Sequence, residues 1–445
     1  MKNKFLGITI LALTTMVFSL ASCEKPYTGE TVTYYARSWE GWADEWLDAK
    51  AKEFNDLDLG IRVKIKHFDD STYFDAVTSA RENGRAPDIY LATYSQVLNE
   101  GVYPGFCAPL EGLMSEEVLA DINESIIPMI SSKGKIYAYP ILTELGTMLF
   151  YRKSMLQKAG VSKVPSTWDE MIDACSKIKP TLKKVQYCLG LCKDTSTGWT
   201  NWAVEYNTSG HLALNDKWDK CLVDCPEYRE IAGYYWDLYK DGYCPDGNLD
   251  SYAGMINALA TDKAAMVITG SWAIGTIVND YVDIMDDIGA APIATKTGDT
   301  NLCSSTIGGF TAMISASSEH KEAAAKVIEY LHATPEVAGT YFQAGGFCKG
   351  VPSNKVKQWC DEHVTEQYKA YYDAVNLVNE HAIPEPRFSW EVTCTLSIFY
   401  QTVMTNSKKT VKTKEQYIED AMKNCLKSID NIMKAPTYET NPEIN

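Results

Sequence analysis

After residue 30, the apolar residues of the chain switch repeatedly between the spacing of a strand and the spacing of a helix. Val32–Ala36 is a run of β-branched and aromatic residues, and from Trp42 to Phe54 the apolar residues recur at helical intervals. The pattern continues with a strand, a helix and a strand at Arg62–Phe68, Tyr73–Glu82 and Asp88–Ala92. Strands that alternate with helices are typical of parallel pairing. The sequence therefore predicts an α/β fold with a largely parallel sheet.

Short apolar runs and amphipathic stretches continue this alternation towards the C-terminus. Further strands are predicted at Lys135–Tyr139, Met148–Tyr151, Ala264–Ile268, Ile288–Ala291 and Phe310–Ser315. Further helices are predicted at Trp168–Ile178, Tyr228–Lys240, Lys321–His332 and Glu415–Met433. Thr167, with Glu170 three residues later, is a capping signal, because its hydroxyl can accept from a free amide of the first turn. We therefore expect a helix to begin at Trp168.

The loops that follow the first and third of these strands supply candidate ligand contacts. Open α/β sheets bind ligands outside the carboxyl ends of their strands, which puts residues 37–41 and 93–96 at the rim of the sheet. Trp39, Glu40 and Tyr94 are candidates on this ground. Trp42 is a further candidate, although its spacing fits a buried helix residue equally well.

Residues 1–22 have the pattern of a removable signal. Lys2 and Lys4 form a basic start, and Phe5–Phe18 is an apolar run of secretory length. Leu20–Cys23 resembles the lipobox of bacterial lipoproteins, so that cleavage before Cys23 would expose its thiol for lipidation. Residues 23–30 then form a short polar tether. An uncleaved membrane anchor is the alternative, but the apolar run is short for a bilayer of about 30 Å.

Length, charge and aromatic content narrow the class of protein. Removal of the leader from the 445-residue chain leaves 423 residues, more than one hydrophobic core usually organises, so we expect two lobes. The net charge of −16 disfavours binding to nucleic acid or to anionic lipid surfaces, because like charges repel. Eleven tryptophans and twenty-seven tyrosines supply flat rings on which sugar faces can stack.

Twelve cysteines remain once Cys23 is assigned to lipid. An even number is compatible with disulfides in an oxidising compartment, and free thiols in an anaerobic host are the alternative. Cys188, Cys192, Cys221 and Cys225 also have the spacing of two close pairs, which a four-thiolate zinc site needs. The residues around them do not form the turns of a zinc knuckle, so a metal is not expected.

The motifs of common enzyme classes are missing from the sequence. The six histidines lack the His-Glu-x-x-His spacing, and there is no Gly-x-Ser-x-Gly elbow, phosphate-binding loop or dinucleotide fingerprint. A glycan hydrolase would need two facing carboxylates, which the 58 acidic residues allow but which no motif indicates. We therefore expect neither a catalytic residue nor a cofactor.

Several motifs resemble those of one known family in their order and spacing. They are Gly134–Glu144, Leu149–Lys153, Pro165–Glu170, Asp262–Trp272, Gly289–Pro292, Gly308–Phe310, Ala323–Ala324 and Tyr330–Leu331. The chain resembles, over most of its length, the family 1 extracellular solute-binding proteins, which are the sugar receptors of ABC importers. It departs from the maltose-binding branch in its first loops, where the charged hydroxyl-binding residues have no clear match and where Glu40 and Arg37 are candidate substitutes.

This resemblance implies two α/β lobes of the periplasmic-binding-protein type, joined by a hinge of three crossings, with a ligand cleft between the lobes. The crossings would fall near Tyr139–Glu144, Ala291–Ile293 and Phe347–Pro352, each of which contains a proline. Lobe I would then comprise residues 31–140 and 293–347, and lobe II residues 141–292 and 348–445.

The same resemblance implies candidate ligand contacts. Glu144 matches the cleft glutamate of the maltose-binding branch, and Trp272 follows the family's strand and turn into a ligand-site tryptophan. Trp199 fits the place of an aromatic platform better than Trp202, which is a candidate core residue. Trp390 is similar to a late cleft tryptophan of the family, within a residue or two in register.

The function implied by the resemblance is that of a lipid-anchored receptor on the extracytoplasmic side of a bacterial membrane. Such a receptor binds a mono- or oligosaccharide between its lobes, closes by hinge motion and delivers the sugar to an ABC permease, as a monomer and without catalysis. A receptor for a non-sugar solute, such as a polyamine, a peptide or a phosphate ester, is the first alternative. A surface glycan hydrolase is the second.

Overall fold

The computed structural model describes residues 27–38, 40–69, 71–191, 200–245, 252–299 and 302–444. Four of the sequence predictions lie outside the described residues. They are the leader, lipidation at Cys23, and ligand contacts by Trp39 and Trp199.

The described residues contain twelve strands. They are β1 Glu30–Ser38, β2 Ile61–Asp69, β3 Ile89–Thr93, β4 Ser131–Ser132, β5 Lys135–Ile136, β6 Tyr139–Leu145, β7 Met148–Arg152, β8 Tyr187–Gly190, β9 Ala264–Thr269, β10 Ile288–Ala291, β11 Thr306–Ile314 and β12 Ile383–Pro384. The run predicted as one strand at Lys135–Tyr139 is thus divided between β5 and β6, because residues 137–138 are irregular.

Sixteen α-helices lie in the same described ranges. They are α1 Gly41–Asp56, α2 Tyr73–Glu82, α3 Glu116–Ala120, α4 Ile127–Ile130, α5 Lys153–Lys158, α6 Trp168–Ile178, α7 Trp202–Ser209, α8 Pro226–Lys240, α9 Tyr252–Ala260, α10 Ala273–Asp280, α11 Lys321–Ile328, α12 Pro335–Ala344, α13 Asn354–His363, α14 Glu366–Glu380, α15 Trp390–Asn406 and α16 Lys414–Met433. None of these helices combines the length and the apolar composition that crossing a bilayer requires.

Both main sheets are mixed rather than largely parallel. The larger sheet has the order β12-β11-β3-β1-β2, with β6 also paired to β11. β1 is parallel to β2 and β3, as the sequence predicts, but β11 is antiparallel to β3 and β6. The smaller sheet has the order β10-β7-β9-β8 and contains one parallel pair, β8 with β9. β6 belongs to the larger sheet and β7 to the smaller one, and only two residues separate them. This connection is too short to contain the crossover helix that joins parallel neighbours.

Buried side chains form two core clusters. The first surrounds the larger sheet and includes Ile89 and Ile314, which are fully buried. The second lies among α6, α8, α15 and α16 and includes Ile231 and Met422. α13 and α14 contribute side chains to the first cluster, whereas α15 and α16 contribute to the second. The lobe boundaries given above stay a prediction.

α6 begins at the residue that its capping signal predicts. Thr167 Oγ1 accepts a hydrogen bond from the Glu170 amide at 3.0 Å, and the Glu170 carboxylate accepts one from the Thr167 amide at 3.3 Å. These reciprocal bonds satisfy amides at the helix start that have no partner inside the helix. Trp168, the first helical residue, is thereby held in the second core.

Candidate functional site

A cleft of about 670 Å³ lies between the two cores. Phe310 of the first core and Phe388 of the second both line it. Arg37 and Thr93, at the carboxyl ends of β1 and β3, line it as well. The cleft therefore lies at the rim of the sheet where the sequence predicts ligand binding.

The pairing of β6 with β11 forms one wall of the cleft. In this antiparallel register Gly308 lies opposite Glu144, and Gly309 lies opposite Thr143. Gly309 has a φ of 128°, and a side chain there would clash with the backbone of Leu142. The register shifts immediately afterwards, between residues 310 and 311. Glycine is thus required where the two backbones approach each other most closely.

Trp272 enters the cleft from the junction between β9 and α10. It is the N-cap residue of α10, and its ring fills the space that any side chain on Gly270 would occupy. Further along α10, a Cβ atom on Gly275 would lie 3.1 Å from Glu40 Oε1 and 3.5 Å from Trp42 Nε1. Glu40 and Trp42 therefore lie against the helix that carries Trp272.

A second group of aromatic residues lines the cleft from the side of the other core. Trp390, at the start of α15, is 46% exposed and meets the ring of Trp202 edge-on at 6.0 Å. Tyr438 also lines the cleft and donates a hydrogen bond to the Trp218 carbonyl at 2.5 Å. Flat rings from both cores thus face one space.

Arg37 is the cation at the end of β1. Its guanidinium lies 5.0 Å from the ring centre of Phe74 and 4.8 Å from that of Phe310. Both rings line the cleft, and both are within the distance over which a cation is attracted to an aromatic face. Arg37 therefore presents its charge beside two apolar surfaces.

Lys349 holds two glutamates together behind the cleft surface. Its Nζ donates to Glu144 Oε1 at 2.6 Å and lies 3.4 Å from Glu40 Oε2, and its side chain is 1% exposed. Burial acts to lower the pKa of Lys349, but Glu144 and Glu40 outweigh burial and raise that pKa well above its ordinary value. Lys349 is therefore charged, and it fixes the position of the Glu144 side chain.

Glu385 is a carboxyl group of the cleft lining whose pKa is raised. Its Oε1 lies where a Cβ atom of Gly308 would be, so it rests directly on β11. Burial, and then the neighbouring charge of Glu144, raise the pKa of Glu385 to about 7. Its charge therefore changes near neutral pH.

The predicted contacts divide into cleft residues and packed residues. Glu144, Trp272 and Trp390 line the cleft, where the sequence predicts them. Tyr94 is 1% exposed and donates to the Leu142 carbonyl at 3.2 Å, within the first core. Trp42 packs on Tyr341, with ring centres 5.0 Å apart, and Glu40 is paired with Lys349. Ligand contacts by all six of these residues stay predictions.

Sequence reasoning missed several residues that line the cleft. They are Phe74, Trp218, Phe310, Glu385 and Tyr438, together with Trp202, which was a candidate core residue. The paired glycines Gly308 and Gly309 were a usable signal for Glu385, because glycine inside a strand marks a close approach of another group. Nothing in the sequence signals Tyr438, since its place depends on the chain after α16.

No grouping of three or more histidine, cysteine or acidic side chains within the described ranges is arranged to hold a metal ion. Of the four cysteines with zinc-site spacing, Cys188, Cys221 and Cys225 are free thiols, and Cys192 lies outside the described residues. The cleft lining offers aromatic faces, carboxylates and guanidinium groups, together with hydroxyl and amide groups such as those of Thr93, Ser95 and Asn99.

Comparisons with known proteins match most of the chain to solute-binding proteins. The family model of the bacterial extracellular solute-binding proteins matches residues 24–337. A binding protein of Brucella abortus (strain 2308) is 25% identical over 387 residues, which cover 86% of each chain. The maltooligosaccharide ABC transporter solute-binding lipoprotein of Streptococcus pneumoniae is 21% identical over 406 residues, covering 85% of this chain and 88% of that protein.

A solved structure with a similar fold is an ABC transporter solute-binding protein from Thermotoga lettingae, bound with α-D-tagatose. The TM-score is 0.72 at 25% identity, and the match covers 90% of this chain and all of that one. This likeness confirms the two-lobed α/β class that the sequence predicts.

Proposed function

The chain belongs to the bacterial extracellular solute-binding proteins, and on that premise we propose that it is the receptor of an ABC importer. It binds a mono- or oligosaccharide in the cleft between its two cores and delivers the sugar to a membrane permease. The family is the one that the sequence motifs predict.

The observation that supports a sugar ligand most directly is the composition of the cleft. Trp272, Trp390 and Phe310 offer flat apolar rings, and Glu144 and Glu385 offer oxygens that can accept from hydroxyls. The faces of a pyranose ring are apolar and its edges carry hydroxyls, so stacking and charge-assisted hydrogen bonds act on different parts of one ligand. The relatives from Streptococcus pneumoniae and Thermotoga lettingae, named for a maltooligosaccharide and bound with a sugar, also support this class.

Transport by this receptor depends on closure of the cleft around the ligand. Phe310 and Trp272 belong to or pack against the first core, whereas Phe388 belongs to the second. A ligand that touches both sides only in the closed form shifts the equilibrium by its difference in affinity for the two forms. Catalysis has no part in this cycle, and the family that the chain matches consists of binding proteins.

We extend the proposal to the N-terminus, where Cys23 is the residue that receives lipid. The lipobox-like sequence Leu20–Cys23 supports this extension. Two or more acyl chains on Cys23 would hold the receptor at the membrane surface, close to its permease.

A thermal-shift screen over mono- and oligosaccharides tests the sugar class. A ligand that binds only the folded protein raises its melting temperature, by an amount that grows with ligand concentration. We expect at least one carbohydrate to do so without being turned over. Failure of every carbohydrate, with a shift from polyamines, peptides or phosphate esters, would contradict the proposal.

Substitution Trp272→Ala tests the proposed stacking surface. We expect it to weaken binding of the sugar found in the screen by about 2 to 4 kcal/mol, the range of a buried aromatic anchor, as measured by calorimetry. Trp359→Ala is the matched control, because Trp359 is a partly buried tryptophan of α13 that packs on the first core. Equal affinity of the Trp272→Ala variant and the unmodified protein would remove Trp272 from the site.

A further inference from the structure

Two carboxylates converge where β6 pairs with β11. Glu144 lies opposite Gly308 in the register, and Glu385 Oε1 occupies the place that a Gly308 side chain would take. Residues opposite each other in a sheet put their side chains on the same face, with Cβ atoms about 4.5 to 5.5 Å apart. Glu144 and Glu385 therefore present their carboxylates side by side, and both line the cleft.

This pair has more acceptor atoms than the protein supplies with donors. Glu144 Oε1 accepts from Lys349, but no described residue donates to Glu144 Oε2. The described residues also provide no hydrogen bond to either carboxylate oxygen of Glu385, whose pKa is shifted by burial and by Glu144 alone. Three carboxylate oxygens thus remain available to a ligand.

The protein does not balance the negative charge at this corner of the cleft, where Glu144, Glu385 and Lys349 lie. Lys349 is already shared between Glu40 and Glu144, at 3.4 Å and 2.6 Å. With Glu385 ionised next to Glu144, three carboxylates are present here and only one ammonium group pairs with any of them. Partly buried carboxylates without a counter-charge are costly, so a positive group at this point would be stabilised.

Other charged groups that line the cleft do not remove this imbalance. They are the cations Arg37 and Arg387 and the carboxylates Glu391 and Glu439. The guanidinium of Arg37 lies over Phe74 and Phe310. With all of these groups present, burial and Glu144 still raise the pKa of Glu385 to about 7.

Trp202 provides a second, independent sign of a polar ligand. Its side chain lines the same cleft and is 4% exposed, and its Nε1 has no acceptor among the described residues. Buried N–H groups in proteins are almost always hydrogen-bonded, so a ligand oxygen that reached Trp202 would meet an unsatisfied donor. The cleft therefore suits a molecule that brings a cation to the carboxylates and oxygens elsewhere.

We propose that Glu144 and Glu385 form a subsite for a primary ammonium group, and that the receptor therefore prefers an amino sugar to the corresponding neutral sugar. This inference rests on the proposed function as a sugar receptor. An ammonium group has three donors and a positive charge, which match the three available oxygens and the excess of negative charge. A hydroxyl in the same place supplies one donor and no charge.

The preference for an amino sugar should increase as the pH rises. Below neutral pH Glu385 carries a proton, and the corner then holds one negative charge fewer for the ammonium to pair with. As the pH rises from 5.5 to 7.5 the carboxyl ionises, so the affinity for the amino sugar should rise by about tenfold. The affinity for a neutral sugar lacks this gain.

Calorimetry with matched monosaccharides and their disaccharides tests the subsite. The probes are glucosamine, N-acetylglucosamine and glucose, the same three forms in the galactose series, and glucuronate. At pH 7.5 we expect an amino form to bind at least tenfold more tightly than its N-acetylated and hydroxyl counterparts, with most of the difference lost at pH 5.5. Glu385→Gln should abolish both the preference and its pH dependence.

Glu380→Gln is the matched control, because Glu380 is an exposed residue at the end of α14 and undergoes the same change of charge. It should retain the preference. Glu385→Gln removes a partly buried charge and keeps the shape of the side chain. The melting temperature of this variant shows whether it folds.

Each remaining outcome counts against the inference in a distinguishable way. Neutral sugars that bind as tightly as amino sugars would overturn the ammonium subsite and leave the proposed function intact. Tightest binding of glucuronate would overturn it in favour of anion recognition by Arg37 and Arg387. Absence of binding by every sugar would overturn the proposed function as well.

Discussion

Lys349 holds together two carboxylates that come from distant parts of the chain. It follows α12, yet it pairs with Glu40 before α1 and with Glu144 in β6. Burying an ammonium group is costly, and the cost is offset only if carboxylates meet it at short distance. Glu40, whose predicted contact with ligand stays a prediction, is one of the two carboxylates that pair with this lysine.

Substitution Lys349→Met should destabilise the protein through the carboxylates that it leaves behind. We expect the free energy of unfolding at pH 7.5 to fall by about 3 to 5 kcal/mol, as is usual when one partner of a buried pair is removed. The loss should shrink towards pH 5, because burial raises the pKa of Glu40 and this carboxyl group can then take up a proton and become neutral. Urea unfolding at several pH values measures both effects.

Lys355→Met is the control for this prediction. Lys355 also pairs with a glutamate, Glu117, but its side chain is 49% exposed and that of Glu117 is 79% exposed. Exposed ion pairs contribute little, so this variant should unfold like the unmodified protein. Equal losses in the two variants would show that burial of Lys349 has no special role.

At the scale of elements, the junction between β9 and α10 sets the orientation of Trp272. The side of the ring lies against Gly270, where no Cβ atom fits, and the next turn of α10 packs through Gly275 onto Glu40 and Trp42. The junction is thus held by close approach at two glycines rather than by a cap, since Trp272 makes no side-chain capping bond.

Gly270→Ala should therefore move the Trp272 ring while leaving the sheets in place. We expect sugar affinity to fall about tenfold or more, which corresponds to about 1.4 kcal/mol, with a smaller change in stability. Calorimetry and thermal unfolding on the same variant separate the two effects. Gly41→Ala is the control, because no atom lies within 4 Å of the added Cβ at the start of α1. Unchanged affinity of the Gly270→Ala variant would mean that the ring position does not matter for binding.

At the scale of the whole molecule, the cleft lies between two cores that share one continuous chain. The larger sheet and α14 belong to one cluster, and α15 and α16 belong to the other. Relative motion of two such bodies is the ordinary expectation when a ligand site lies between them.

Saturation with a cognate sugar should both compact and stabilise the molecule. The radius of gyration, measured by small-angle X-ray scattering, should decrease when sugar is added, because closure brings the two cores together. At a ligand concentration one hundred times Kd, the free energy of unfolding should rise by about 2.7 kcal/mol. Stabilisation with an unchanged radius of gyration would indicate binding without closure.

The elements could be predicted from sequence where their signals are local. β1, α2 and α6 lie where the alternation, the helical spacing and the Thr167–Glu170 capping pair put them. The mixed strand directions of the sheets could not be predicted from sequence. The direction of β11 depends on its contacts with β3, which lies more than 200 residues earlier. Periodicity predicts that a segment is a strand, but it does not predict which strand that segment pairs with.

The candidate site also has features that the sequence predicts and features that only the tertiary structure shows. The sequence by itself determined the family, the two-lobed α/β class and the positions of Glu144, Trp272 and Trp390, because these depend on motifs carried by contiguous residues. Only the tertiary structure decided that Tyr94 is a core residue, that Glu40 pairs with Lys349, and that Glu385 joins Glu144 above Gly308. Burial and charge pairing are properties of the folded arrangement, since they depend on which distant side chains become neighbours.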